Sequence, residues 1–181
     1  GMNREHALFG ASRCVAVNPS DTAPALVALE ASMVINSVDG ERVISAEDYF
    51  VGPAIDIENT TALRVGEILT AVRIPATWAN ATFYFEKVAD RNVWDFALVS
   101  MAVAMRVSGD TIQESRFVCG GVECKPRRLL EVEDAVRGRS HDASTTELVA
   151  SYASRGARPL AHNQYKAPLM NNLVRRAIET V

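Results

Sequence analysis

Cysteine is scarce in this chain: Cys14, Cys119 and Cys124 are the three among 181 residues. They are odd in number and scattered, which excludes a disulfide framework, and no histidine lies near Cys119 and Cys124 to complete a metal set. Histidine is equally rare, and none of His6, His141 and His162 accompanies a nucleophile in a Ser/His/Asp or Cys/His arrangement. No apolar run reaches the length of a membrane-spanning helix, and no stretch reads as a signal peptide. Basic tracts and acidic tails are missing as well, and a net charge of −3 argues against a nucleic-acid partner. There is no internal repeat and no low-complexity segment. These absences leave a globular protein of a reduced, cytoplasmic compartment as the expectation. Gly1 ahead of Met2 reads as a tag-cleavage remnant and stays outside the fold reading.

Apolar residues make up 48% of the chain, enough to bury a sizeable core. The most informative stretch joins the β-favourable Cys14-Val15-Ala16-Val17 to Pro19-Ser20-Asp21 and then to an alanine- and leucine-rich helix over residues 20–31. Ser20 or Asp21 can cap that helix, which places a carboxylate at a strand-to-helix turn. Residues 33–36 and 42–44 flank Asp39-Gly40 and predict a hairpin. Ser45-Ala46-Glu47-Asp48 predicts a capped helical turn, residues 52–59 a loop, and residues 68–74 a strand stopped by Pro75. Beyond a boundary near 77–80, Thr82–Val88 predicts an aromatic strand. The unbroken apolar run from Phe96 to Val107 fits a buried strand or a buried helix. The Ser108-Gly109-Asp110 turn and the β-favourable run after it favour the strand. Gly120-Gly121 marks a close backbone approach. Three helices follow: 129–137 stopped by Gly138, one capped by Ser144 and ending near Arg155-Gly156, and one from Tyr165 with a stripe of Leu169, Leu173, Ala177 and Val181. Three strands followed by three helices describe a two-layer α+β unit.

Three patterns occur in fixed order. Asn3-Arg4-Glu5-His6-Ala7-Leu8-Phe9-Gly10 leads to Cys14-Val15-Ala16 and Pro19-Ser20-Asp21; Leu63-Arg64-Val65-Gly66-Glu67-Ile68-Leu69-Thr70 runs on to Pro75; Phe85-Glu86-Lys87-Val88-Ala89-Asp90-Arg91 precedes Asp95-Phe96-Ala97, Gly120-Gly121-Val122 and Lys125-Pro126. Together they resemble the FAD-binding medium subunit of molybdenum hydroxylases, the family of xanthine, aldehyde and carbon monoxide dehydrogenases. The resemblance implies an α+β fold: residues 1–78 as the second lobe of a FAD-binding domain, and residues 79–181 as a two-layer C-terminal domain with a three-stranded antiparallel sheet against a helical layer. It implies FAD as cofactor, and partners in a molybdenum-cofactor subunit, an iron–sulfur subunit and a first FAD lobe, with electron transfer as the role and substrate hydroxylation elsewhere. Glycine-rich phosphate loops of that first lobe are not found in this sequence, so the chain alone is expected to bind FAD weakly or not at all. Smaller departures are Thr22 and Pro24 at the helix start, Glu30 where an aspartate is usual, and Arg127 after the proline.

Residue by residue, the resemblance assigns Asp21 to hydroxyls of FAD, Leu69 to apolar packing on a ring, and Lys87 to charge near the flavin. The local readings are a helix N-cap for Asp21, strand core for Leu69 and a solvated strand end for Lys87. Trp94 fits ring stacking or simple packing, and Lys125-Pro126-Arg127-Arg128 reads as a solvated basic cluster. The alternative function is a cofactor-free assembly module that self-associates through its apolar faces.

Overall fold

The computed structural model describes residues 2–180. The first sheet grows from the predicted hairpin. Strand β1 (Ser32–Ser37) pairs antiparallel with β2 (Gly40–Ser45) and, on its other edge, with β3 (Ile68–Arg73). Gly40 supplies the positive φ of 119° that the turn needs. Met33 and Ile35 point inward beneath helix α1 (Thr22–Ala28). Ser45 accepts from the Asp48 N–H at 3.0 Å and caps α2 (Ala46–Tyr49), as its sequence predicts.

The second sheet is antiparallel in the order β4 (Thr82–Val88), β5 (Val99–Ser108), β6 (Thr111–Gly120) and β7 (Arg127–Arg128). Three long strands match the expectation, and the two-residue β7 adds an edge. The apolar run is a strand because both of its faces are covered. Met101, Val103 and Met105 face the core formed with α3 (Leu130–Val136), α4 (Ala143–Ala150) and α5 (Lys166–Thr180). On the opposite face stands Ala102, small enough for α1 to lie close. At Gly120 a Cβ would sit 2.4 Å from Ser100 Oγ and 2.8 Å from Pro24 Cγ, so glycine is what lets α1 dock there. The core beneath the three helices also takes in Leu8 and Phe9, so the N-terminal run closes a layer built by the last third of the chain.

Several local expectations change. Residues 14–17 form no strand; single main-chain bonds join Val15 to Ala7 and Asn18 to Glu123, and no ladder develops. The first helix spans seven residues rather than the whole of 20–31, because Glu30 turns the chain at φ 55°. Asp142, not Ser144, caps α4 by accepting from the Thr145 N–H at 2.9 Å. The buried stripe of α5 is Met170, Leu173, Val174, Ala177 and Ile178, a face set by the sheet above it; Leu169 packs at its margin and Val181 lies outside the described residues. The basic cluster is tied down rather than solvated. Arg127 stacks 3.8 Å from the Phe9 ring and pairs with Glu123, while Arg128 pairs with Glu133 and Glu47. Among the described residues no helix is long and apolar enough to cross a membrane.

Candidate functional site

Pro19, which lacks an N–H, ends the irregular segment before α1. Ser20 then caps the helix, its Oγ accepting from the Ala23 N–H at 3.2 Å. Asp21 has helical backbone angles and makes no capping bond with its side chain. Its carboxylate is therefore free, and Lys87 at the far end of β4 donates to it at 2.7 Å. Lys87 Nζ also donates to the main-chain oxygen of Asp95 at 2.6 Å. The N-cap role read locally for Asp21 thus falls to its neighbour, and two residues 66 apart in the chain meet.

The loop between β4 and β5 builds the other wall. One carboxylate organises it: Asp95 accepts from the Arg91 N–H and from its own neighbour, the Phe96 N–H, both at 3.0 Å. Arg91 donates to the main-chain oxygen of Trp94 at 2.5 Å. Trp94 is held at a φ of 56°, rare for a bulky residue, and is 93% exposed. It is not packing filler. Phe96 is exposed as well, and the two aromatics stand with Pro19, Asp21, Lys87, Arg91 and Asp95 around a cleft of about 480 Å³. Sequence reasoning passed over Asp95 and Phe96 as site residues, although the four-residue spacing of Arg91 and Asp95 is a usable signal. Leu69 is not among the cleft residues; it lies in β3, half-buried against the core of α1 and the first sheet.

The cleft offers two cations, two carboxylates and exposed aromatic faces, which suits a planar polar ligand. It holds no nucleophile with a base, and no group of metal-ligating side chains exists among the described residues. Cys119 is buried, which pushes its thiol up to about 12 and leaves it inert; burial raises the Cys124 thiol too. The nitrogen Nδ1 of His6 is buried without a hydrogen-bond partner.

A second concavity, apolar and about 500 Å³, runs between α1 and β4. Ala25, Ala28 and Leu29 form one side, and Phe83 and Phe85, each about half exposed, form the other. The C-terminal end of α1 is held by a charged network. Arg116 of β6 donates to the Val27 carbonyl at the end of α1 and to Glu30, both at 3.0 Å, and Glu30 also accepts from the Trp78 indole at 3.0 Å.

Residues 3–77 match the FAD binding domain in molybdopterin dehydrogenase, and residues 84–181 match the CO dehydrogenase flavoprotein C-terminal domain. The aldehyde oxidoreductase FAD-binding subunit PaoB of Escherichia coli is 35% identical over 168 residues, covering 92% of this chain and 49% of that protein. The glyceraldehyde dehydrogenase medium chain of Sulfolobus acidocaldarius is 31% identical over 166 residues, covering 90% of this chain and 57% of its own length. Among solved structures, quinoline 2-oxidoreductase from Pseudomonas putida 86 superposes with a TM-score of 0.75 at 27% identity, over 97% of this chain and 57% of that one. Carbon monoxide dehydrogenase from Hydrogenophaga pseudoflava gives 0.78 at 26% identity, over 89% and 56%. The chain thus spans about half the length of the curated relatives it matches. With two consecutive matches in the order that the three sequence patterns imply, the chain belongs to the family of FAD-binding medium subunits of molybdenum-dependent dehydrogenases.

Proposed function

We propose that this chain is the part of a flavin subunit that walls and covers the flavin during electron transfer, and that the cleft between Asp21 and Lys87 is where it meets FAD. The observation that carries this reading is the 2.7 Å Asp21–Lys87 pair at a cleft rimmed by the exposed Trp94. The residues fit one end of the cofactor. Lys87 supplies positive charge for a ring that gains negative charge on reduction, Asp21 accepts from hydroxyl groups, and Trp94 and Phe96 offer faces that exclude water. FAD, when bound, supplies a carrier that takes up electrons and passes them on. The phosphate end is not matched: no glycine lines the cleft, so the backbone N–H cradle comes from polypeptide outside this chain. Leu69 joins the site only if that polypeptide brings a ring to the side of the first sheet.

The division into units 1–78 and 79–181 is part of the same proposal, with Leu8 and Phe9 lent across to the second unit's core. So are the partners: a first FAD lobe, an iron–sulfur subunit, and a molybdenum subunit that performs the substrate chemistry. The apolar groove supports a polypeptide complement. It also favours the second reading, a cofactor-free assembly module.

The test is reconstitution. The chain alone takes up little FAD, whereas the chain combined with a glycine-rich flavin lobe gives a stoichiometric yellow complex. In that complex Lys87→Met and Asp21→Asn weaken FAD retention and shift the flavin spectrum. A complex indifferent to both substitutions overturns the assignment of the cleft, and a complex that never takes up flavin favours the assembly module.

A further inference from the structure

Residues 4–8 form neither helix nor strand, yet their main-chain carbonyls are taken up one after another. The Tyr165 hydroxyl donates to the Arg4 oxygen at 3.1 Å, and Lys166 Nζ donates to the Glu5 oxygen at 2.7 Å. Asn163 Nδ2 donates to the oxygens of His6 and Ala7, at 3.0 and 3.3 Å. The Arg158 N–H donates to the Leu8 oxygen at 2.8 Å. Asn163 and Lys166 are fully buried, and the second bond of Lys166 goes to the Gly121 oxygen at 2.7 Å. Two buried donors satisfied by carbonyls of this kind leave the segment no freedom to slide, because any shift would strand them without partners.

From this held track the Arg4 side chain projects across the Tyr165 ring, 5.7 Å from its centroid. It ends in a two-point pair with Asp90, at 2.5 and 2.7 Å. Asp90 stands two residues past β4, at the root of the loop that carries Arg91, Trp94 and Asp95. Inside the loop the bonds run between its own members and Lys87. Among the described residues, Arg4 is the side chain outside the β4–β5 hairpin that grips this loop by hydrogen bond or ion pair. A planar guanidinium on a carboxylate fixes direction as well as distance, which an ammonium cannot do.

We propose that Arg4 is a positioning residue for the cleft: held by Tyr165 on a track that Asn163 and Lys166 clamp at residues 5–7, it fixes Asp90 and so sets the loop that presents Trp94 and Asp95 beside Lys87. The ligand side of this inference rests on the flavin reading above; the loop side does not. Both partners are substantially exposed, so the pair adds little to global stability, and its effect is local.

Trp94 is a built-in reporter, since Trp78 is buried. Tryptophan anisotropy decay and acrylamide quenching are measured on the full chain and on Arg4→Ala, Arg4→Lys and Asp90→Asn, with Trp94→Phe assigning the signal. Arg4→Ala and Asp90→Asn are expected to add a fast depolarising component with the melting midpoint near that of the parent. Arg4→Lys is expected to fall between, and it serves with Asp90→Asn should Arg4→Ala not fold. FAD titration of the reconstituted complex is expected to show Kd raised about tenfold in Arg4→Ala. An unchanged Trp94 decay in Arg4→Ala and Asp90→Asn overturns the proposal, as does a loosened loop with FAD affinity unaltered. If the complex binds no FAD at all, the flavin reading fails, and the Trp94 decay alone decides the role of Arg4.

Discussion

At the scale of single residues, neighbours in sequence divide the work. Ser20 satisfies the helix start, which releases Asp21 for Lys87. Ser20→Ala is therefore expected to cost about 1 kcal/mol of stability as a lost cap, whereas Asp21→Ala costs no cap and acts on the cleft. Urea denaturation of the two variants separates these roles. A second residue-scale prediction concerns pH. Arg42 donates to Glu67 at 2.7 and 2.6 Å, and this pairing holds the Glu67 carboxyl down at about 2 from an ordinary value of 4.5. A carboxyl whose folded value is depressed contributes stability that is fully present above pH 4.5 and is lost as pH falls through about 2. Glu67→Gln is expected to flatten acid unfolding in that window, as read by circular dichroism against pH. The Asp21–Lys87 meeting was legible in the sequence only through the resemblance, since no local rule joins positions 66 apart.

At the scale of elements, close packing of α1 on the second sheet decides the geometry of the cleft. The contact depends on Gly120, where any side chain meets Ser100 and Pro24. Gly120→Ala is expected to destabilise the fold by about 1–3 kcal/mol through overpacking and to displace α1, checked by denaturation and by loss of the Asp21–Lys87 approach in a structure of the variant. The helix caps give a cleaner case. Asp142→Ala is expected to cost about 1 kcal/mol and Ser144→Ala less, because the Thr145 N–H bonds to Asp142 while Ser144 only supports that carboxylate, donating to it at 2.7 Å. Strands of the second sheet were readable because alternation and turn residues are local signals: Ser108-Gly109-Asp110 marks its hairpin without reference to anything distant. The stripe of α5 was readable in part, since Leu173 and Ala177 are buried as expected. Leu169, Leu173 and Ala177 share one line on the helix, but the sheet selects a face rotated toward Met170, Val174 and Ile178.

Over the whole molecule, α1 ties the two sheets into one shared core. α1 touches the first sheet through Met33 and Ile35 and the second through Ala102 and Val118, so the Asp21 end of the helix and the Lys87 strand are carried on a common contact. Beside that contact the groove leaves Phe83 and Phe85 half exposed. Phe83→Ser with Phe85→Ser is expected to reduce binding of an apolar dye and any concentration-dependent self-association on size-exclusion chromatography. The same pair of substitutions is expected to weaken capture of the complementing flavin lobe, while Lys87→Met leaves that capture intact.

The hairpins, the α+β class and the family were set by residues acting on their neighbours and by motifs in sequence order. Hydrophobic alternation, glycine turns and proline stops work over a few residues, so they can be read in one dimension. Tertiary structure alone decided that Ser20 rather than Asp21 caps α1, that Trp94 stands in solvent, that Arg128 is paired rather than solvated, and that Arg4 reaches Asp90. Asp21 with Lys87, Arg128 with Glu47 and Arg4 with Asp90 each need a partner far along the chain, and such a partner exists only after packing has brought the two segments together.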